Sequence, residues 1–395
     1  MKTLLLSEIF PPRNGGSGRW FWEIYSRLES AKYLLVVGES IGQQTFDNDH
    51  EKQIIRLPLA MTEWGIASWR GAIGYWKRVL QLRRLVRRNR ITQIHCGRCL
   101  PEGVMCLALK QWLGVPYLCY IHGEDINTAS NSREHAFLVR RVLANAEYCI
   151  ANSHNTARLL REEWNVGQAR VRVLHPGVDC KAFSPRPRAR EVRRQLEWGD
   201  RPVVLTVGRL QRRKGHDMLI RALPSILNTL PNALYSIVGA GEERHSLQAL
   251  ASELGVLGHV QFRGEPSDSE LVRCYQQCDV FALPNREIDR DIEGFGMVLL
   301  EAQACGRPVI AGQSGGTSEA MKPDQTGFVV DCRQPEELAR VLTQLLAAPT
   351  ECDRMGAEGR RWVEQRFDWN VLAEQAEFLF RGHHQRNAME NEDRS

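Results

Sequence analysis

What constrains this chain most is the regular alternation of short apolar runs with amphipathic helical stretches. Seven runs fall in the first half, at residues 3–10, 33–38, 54–59, 91–96, 117–122, 148–152 and 171–174. Six follow, at 203–207, 234–238, 260–262, 280–283, 309–311 and 328–330. Runs apolar on both faces predict strands buried on both faces, and the stretches between them are long enough for crossover helices. The fold class is therefore α/β: parallel, doubly wound sheets with helices on either side. A length of 395 residues asks for more than one core. The series breaks at Phe183-Ser-Pro-Arg-Pro-Arg-Ala-Arg190, which is too rich in proline and arginine for a sheet interior. We expect one Rossmann-like domain over 1–185, a second over 186–366, and a last segment, 367–395, with a polar, frayed tail from residue 387. Such domains bind ligands at the carboxyl ends of their strands, in a crevice between the two.

Charge is unevenly spread. Residues 1–185 carry 25 Lys+Arg against 16 Asp+Glu, and the remainder 27 against 31. The net +5 is too small to imply nucleic acid, but a basic first half suits an anionic partner. Residues 64–90 concentrate the effect, with eight basic side chains, no acid, and Trp64, Trp69, Tyr75 and Trp76. Tyr75, Val79, Leu82 and Val86 form a core stripe, while Trp76 and Leu80 share the other face with Lys77, Arg83, Arg84 and Arg87. That face suits an anionic membrane surface or a lipid-linked substrate. The 11 cysteines are odd in number and sit mostly in apolar runs, which points to reduced thiols in a cytoplasmic protein. Cys96-Gly-Arg-Cys99 has no complementary pair and is not read as a metal site. The apolar start Met-Lys-Thr-Leu-Leu-Leu is too short for a signal sequence, and no run is long enough to span a membrane.

Four motifs carry chemistry. Glu293-Gly-Phe-Gly-Met-Val-Leu-Leu-Glu301 places two acids around a glycine-bearing helix start, where bare amides and the positive dipole end favour an anion. On one continuous helix the two acids would lie about 80° apart after two turns and border one cleft. Val207-Gly-Arg209, followed by Lys214-Gly215, leaves a strand with the cations that suit a diphosphate. Asn14-Gly15-Gly16-Ser-Gly18 can close backbone amides on a phosphate, although it is neither a Walker loop nor GxGxxG. His122, before Gly123, ends another strand within reach of the crevice. Asp289-Arg-Asp291 has the spacing of a metal-binding acid pair but is not expected to bind one.

Taken together these motifs resemble glycosyltransferase family 4, and the likeness extends over essentially the whole chain. The run from Asp291 to Gly312 and the opening Phe10-Pro-Pro-Arg-Asn-Gly-Gly16 are similar to bacterial phosphatidylinositol mannosyltransferases. The resemblance implies a GT-B fold, with two Rossmann-like domains facing across a cleft and the segment from Phe367 crossing back to the first domain. It implies a retaining transferase moving a hexosyl group, foremost mannosyl from GDP-mannose, to a lipid-linked or glycan acceptor. A UDP-sugar donor and a sugar-nucleotide epimerase are the alternatives. It further implies that Arg209 and Lys214 hold the donor diphosphate and that the Gly15 and Gly16 amides close over it. Glu301 would take the ribose hydroxyls. Glu293 and the amides of Gly294, Phe295, Gly296 and Met297 would hold the sugar. His122 would lie near the acceptor oxygen, and Arg263-Gly264 near the base. No metal or other cofactor is required. Arg19-Trp-Phe-Trp22 departs from the family pattern on the acceptor side. The expected location is the cytoplasm, peripherally on the inner face of the membrane.

Overall fold

The computed structural model describes residues 2–13 and 15–392, with residues 381–392 described by backbone alone. They form two compact units. Residues up to Pro176 belong with the helix that starts at Trp369, and Gly177–Asp368 form the other unit. The expected boundary at 185/186 therefore moves to 176/177. The proline- and arginine-rich stretch is strapped to the second unit: Phe183 packs its ring 5.6 Å from Tyr275, and Arg360 donates to the carbonyls of Cys180 and Phe183 at 2.9 and 2.7 Å. The second boundary falls after Asp368, because the Val178 amide donates to the Phe367 carbonyl at 2.9 Å.

The first unit holds seven parallel strands: β1 Lys2–Ser7, β2 Tyr33–Gly38, β3 Ile54–Leu57, β4 Ile91–Cys96, β5 Tyr117–Ile121, β6 Cys149–Ala151 and β7 Val171–Val173. Their order is β3-β2-β1-β4-β5-β6-β7. The second unit holds six: β8 Val203–Val207, β9 Leu234–Val238, β10 Val260–Gly264, β11 Val280–Leu283, β12 Val309–Gly312 and β13 Gly327–Val330, in the order β10-β9-β8-β11-β12-β13. Every apolar run read from the sequence is a strand. The central ones, such as Val203–Val207 and Tyr117–Ile121, are buried at every residue, as strands covered by helices on both faces must be. In both sheets the order reverses between the first strand and the fourth, β1 with β4 and β8 with β11. A cleft at the carboxyl end of a sheet opens at this switch point.

The helix Trp69–Arg88 is capped by Ser68, which accepts a hydrogen bond from the Gly71 amide at 3.0 Å. It buries Tyr75, Val79, Leu82 and Val86, as the periodicity implies, and leaves Trp76 exposed. The final helix, Trp369–Glu392, lies in the first unit, where Phe380 packs 4.5 Å from the His95 ring. It covers much of the segment expected to fray from residue 387; residues 393–395 lie outside the described residues, as does Asn14 of the glycine loop. All 11 cysteines are buried free thiols. Among the described residues no helix is long and apolar enough to cross a membrane.

Candidate active site

In the second unit the site grows from the ends of β8 and β11. Beyond β8 the chain passes Gly208 and Arg209 and enters a 3-10 turn, Arg212–Lys214. Gly215 follows with φ 74°, and a Cβ there would lie 1.7 Å from the Pro284 carbonyl oxygen, so the close approach to the exit of β11 requires glycine. Two further contacts lock the turns together. The Arg286 amide donates to the Arg213 carbonyl at 2.8 Å, and the Arg286 guanidinium forks onto Asp217 at 2.8 and 2.9 Å.

After β11 the chain reverses through Asp289 and Arg290, both at positive φ, between reciprocal bonds of Ile288 and Asp291 at 3.2 and 2.7 Å. This turn brings the acidic segment onto the basic one. Lys214 Nζ and Arg213 Nη1 both donate to Glu293 Oε2, at 2.5 and 2.6 Å, and Arg213 Nε meets Asp291 Oδ2 at 3.1 Å. Glu293 Oε1 accepts no hydrogen bond among the described residues. Burial alone would raise the Glu293 carboxyl. The Lys214 and Arg213 charges outweigh it and hold the carboxyl below the usual range, so Glu293 is ionised. Asp291, paired in this way, is a partner of Arg213 rather than half of an acid pair with Asp289.

The helix behind this segment differs from the expectation. It spans Met297–Ala304 and is capped by Gly296 at φ 91°. Glu293 therefore precedes it, while Glu301 sits in its second turn. The helix cannot extend back through a left-handed Gly296. The Glu293 carbonyl is committed elsewhere: it accepts the Gly316 amide at 3.0 Å, against Gly315, where a Cβ would come within 1.8 Å of that oxygen. Phe295 turns its ring into the core, 5.8 Å from Phe367, and Met297 packs against the same core. Within Gly294–Met297 it is thus chiefly the backbone that remains for a ligand, including amides of the first helical turn. Glu301 is buried and accepts the Tyr275 hydroxyl at 2.7 Å.

Arg209 is exposed, and its guanidinium has no hydrogen-bond or ion-pair partner among the described residues. Arg263 is not gathered with these groups. Its Nη1 donates to the Leu196 carbonyl at 2.9 Å and its Nη2 to Glu270 at 2.5 Å, so these two nitrogens are held within the second unit. Arg213 and Tyr275 were missed. Arg213 lies in an undifferentiated basic run, and Tyr275 reaches Glu301 from a separate helix. Lys214 and Arg213 are thus engaged by Glu293, whereas Arg209 keeps its charge for a ligand or solvent.

In the first unit, Gly15 caps the helix Gly16–Tyr25, so the glycine loop enters helix at once. A Cβ on Gly18 would come 3.0 Å from Phe10 Cα, which fixes the loop against the end of β1. His122 follows β5. Its Nε2 lies 2.8 Å from the Gly97 carbonyl after β4, so Nε2 carries a proton, and in the neutral tautomer Nδ1 is the acceptor. Trp20 and Phe21 are buried and present edge-on contacts to the ring at 5.6 and 5.8 Å, so the departure from the family pattern packs His122 in place.

Residues 14–182 match the model of Glycosyltransferase Family 4, and residues 188–362 that of Glycosyl transferases group 1. The GDP-mannose-dependent alpha-(1-6)-phosphatidylinositol monomannoside mannosyltransferase of Mycobacterium tuberculosis is 31% identical over 390 residues, covering 96% of this chain and 98% of that one. The GDP-mannose-dependent monoacylated alpha-(1-6)-phosphatidylinositol monomannoside mannosyltransferase of Corynebacterium glutamicum is 29% identical, covering 94% and 96%. Among solved structures, Anabaena HepE in complex with UDP superposes with a TM-score of 0.80 at 21% identity, covering 97% of this chain and all of that one. Sucrose-phosphate synthase from Thermosynechococcus elongatus gives 0.80 at 24%, covering 98% and 100%.

Proposed function

The chain belongs to glycosyltransferase family 4, and we propose that it transfers a mannosyl group from GDP-mannose to a lipid-linked acceptor of the phosphatidylinositol mannoside class. The observation that carries this reading is the convergence of Lys214, Arg213 and Glu293 at the β8/β11 switch point, on the same β8 exit as Arg209, whose guanidinium has no partner among the described residues. The likeness to mannosyltransferases along nearly the full chain supports the choice of sugar and acceptor.

In this reading Arg209, Lys214 and Arg213 take the donor diphosphate, and the first amides of the helix Met297–Ala304 add their dipole. Glu293, released in part from its cations, turns its acceptor oxygens to the mannose hydroxyls. Glu301 receives the ribose. The bond from the anomeric carbon to the diphosphate breaks as the bond to the acceptor oxygen forms on the same face, with retention. The acceptor proton passes to the departing phosphate, and GDP leaves. The cations meet the leaving-group charge without a metal. His122, with Nδ1 as acceptor, holds the acceptor hydroxyl. Incubation with GDP-mannose and a panel of phosphatidylinositol mannosides tests the reading. A mannosylated lipid and free GDP are expected. A new sugar nucleotide without conjugate, or transfer from UDP-sugars alone, would overturn it.

The first unit supplies a surface for the lipid. Trp69, Ile73 and Trp76 stand exposed on the helix Trp69–Arg88, and Trp76 stacks on the exposed Trp112 at 5.6 Å. The Arg83 guanidinium lies 4.1 Å from the Trp112 ring, and Lys77, Arg84 and Arg87 share the helix. Exposed indoles amid cations suit the headgroup layer of an anionic membrane, on which the protein docks peripherally. Sedimentation with anionic vesicles at low salt, lost at high salt, is the expected result. Equal, weak binding to neutral vesicles would refute it.

A further inference from the structure

His216 opens the helix His216–Thr229 immediately behind Lys214 and Gly215 and is fully buried. Its ring joins two parts of the second unit. Nε2 lies 3.2 Å from the Arg209 carbonyl oxygen, and Nδ1 lies 3.0 Å from the hydroxyl of Tyr235 on β9. That hydroxyl is 3.1 Å from Thr206 Oγ1 on β8, and Thr206 donates to the Ala282 carbonyl on β11 at 2.6 Å. A line of polar contacts thus crosses the three central strands and ends on the backbone of Arg209. Burial, aided by the charge of Lys214, lowers the His216 imidazole to about 4, so the ring is neutral at physiological pH. A neutral ring has a single N–H, and a carbonyl cannot donate. The proton is therefore on Nε2, facing the Arg209 carbonyl, and the Nδ1 lone pair lies beside the Tyr235 hydroxyl, whose one proton it shares with Thr206 Oγ1, because Thr206 spends its own proton on Ala282.

We propose that His216 is a positioning residue for Arg209, holding its carbonyl so that the guanidinium, which has no side-chain partner of its own among the described residues, is presented to the donor diphosphate. The proposal rests on the reading of Arg209 given above. The carbonyl takes two donors, the Gln211 amide at 2.9 Å and His216 Nε2, one local and one anchored in the sheet. Without the second, the loop from Gly208 to Gln211 is fixed to the sheet only by its own backbone bonds. Small displacements of a catalytic cation are costly to rate.

The test separates the two ends of the ring. His216→Gln keeps a donor where Nε2 stood. His216→Asn keeps a polar group at the Nδ1 position and loses the contact with Arg209. Melting temperature and kcat/KM for GDP-mannose are measured for both, alone and combined with Arg209→Ala. We expect His216→Gln within about threefold of wild type and His216→Asn lower by roughly tenfold to a hundredfold. We also expect the His216→Asn loss to vanish in the Arg209→Ala background, as coupled residues require. Equal losses for Gln and Asn, or a loss undiminished without Arg209, would overturn the proposal. Should His216→Asn fail to fold, Tyr235→Phe takes its place in the cycle, with a smaller loss that must also vanish in Arg209→Ala. An Arg209→Ala protein with unimpaired transfer would bring down the site assignment itself, an outcome distinct from failure of the His216 cycle.

Discussion

The two sheets bury carboxylates on opposite terms. Beyond β11, Glu293 receives Lys214 and Arg213 at 2.5 and 2.6 Å and is held below the usual carboxylate range. Beyond β4, Glu102 is fully buried, accepts the Glu8 amide at 2.8 Å, and has its nearest cation, Arg98, at 3.7 Å. Its Oε2 has no hydrogen-bond partner among the described residues, and burial pushes the group up to about 8 against the weaker pull of Arg98. Burial acts on both acids. The outcome turns on whether cations reach hydrogen-bonding distance, since Coulomb attraction in a poorly screened site rises steeply as the gap closes. The second unit commits charge to keep an acid ionised at the proposed donor site. The first uses a neutral acid as a peg beneath its β1 turn and leaves His122 to aromatic packing.

The largest effects should come from breaking the charged side of this contrast. Lys214→Ala removes a cation from both Glu293 and the diphosphate, and kcat should fall by about a hundredfold or more. Glu293→Gln should cost as much, because its neutral amide cannot balance two cations or favour a cationic sugar. Single-turnover transfer from GDP-mannose measures both, and a loss under about threefold in either would contradict the charge assignment. On the packed side, His122→Ala should cost roughly tenfold, the worth of one hydrogen bond to the acceptor. Its effect should fall on transfer to lipid while donor affinity, measured by thermal shift, stays unchanged.

The same contrast explains what could be read from the sequence. Strands were legible because burial on both faces leaves a local record in each apolar run. Arg209 and Lys214 were legible as cations beyond a strand end, and Glu293 and Glu301 as acids around a helix start. Their connectivity was not. That Gly296 turns left-handed and starts the helix after Glu293 depends on Gly315 and Gly316 closing on the Glu293 carbonyl, a contact between distant segments. In Arg212-Arg213-Lys214 the sequence offers three equal cations. The 3-10 turn points successive side chains about 120° apart, and only tertiary contact shows which reach Glu293. Arg263 shows the same in reverse, since its pairing with Glu270, in the first turn of the next helix, is a tertiary detail that the residue type alone does not reveal.

A third carboxylate sharpens the rule. Glu301 lies in the same unit as Glu293, buried, with the Tyr275 hydroxyl at 2.7 Å. If cations are reserved for the diphosphate end, the ribose end should depend on neutral donors and be more tolerant. Tyr275→Phe keeps the ring and removes one hydrogen bond. It should raise the KM for GDP-mannose by about fivefold and leave kcat near wild type. A kcat loss as large as that of Lys214→Ala would show that the two ends of the donor site do not differ in this way.

The smallest effect is on stability, and it has opposite signs in the two units. Glu293 has its folded value lowered, so its pairing stabilises the fold above the ordinary glutamate value of about 4.3 and is lost as pH falls through the lowered value. Glu102 has its folded value raised to about 8. The unfolded chain releases that proton from about 4.3 upward while the fold retains it, so stability declines with rising pH until about 8. Glu102→Gln should therefore match wild type in acid and melt higher at neutral and mildly alkaline pH, with the gap widening up to about 8 and then constant. Glu293→Gln should lose stability at neutral pH and converge on wild type in acid. Melting curves across pH check both. Parallel shifts in the two variants would mean that cation distance does not decide how each unit buries an acid.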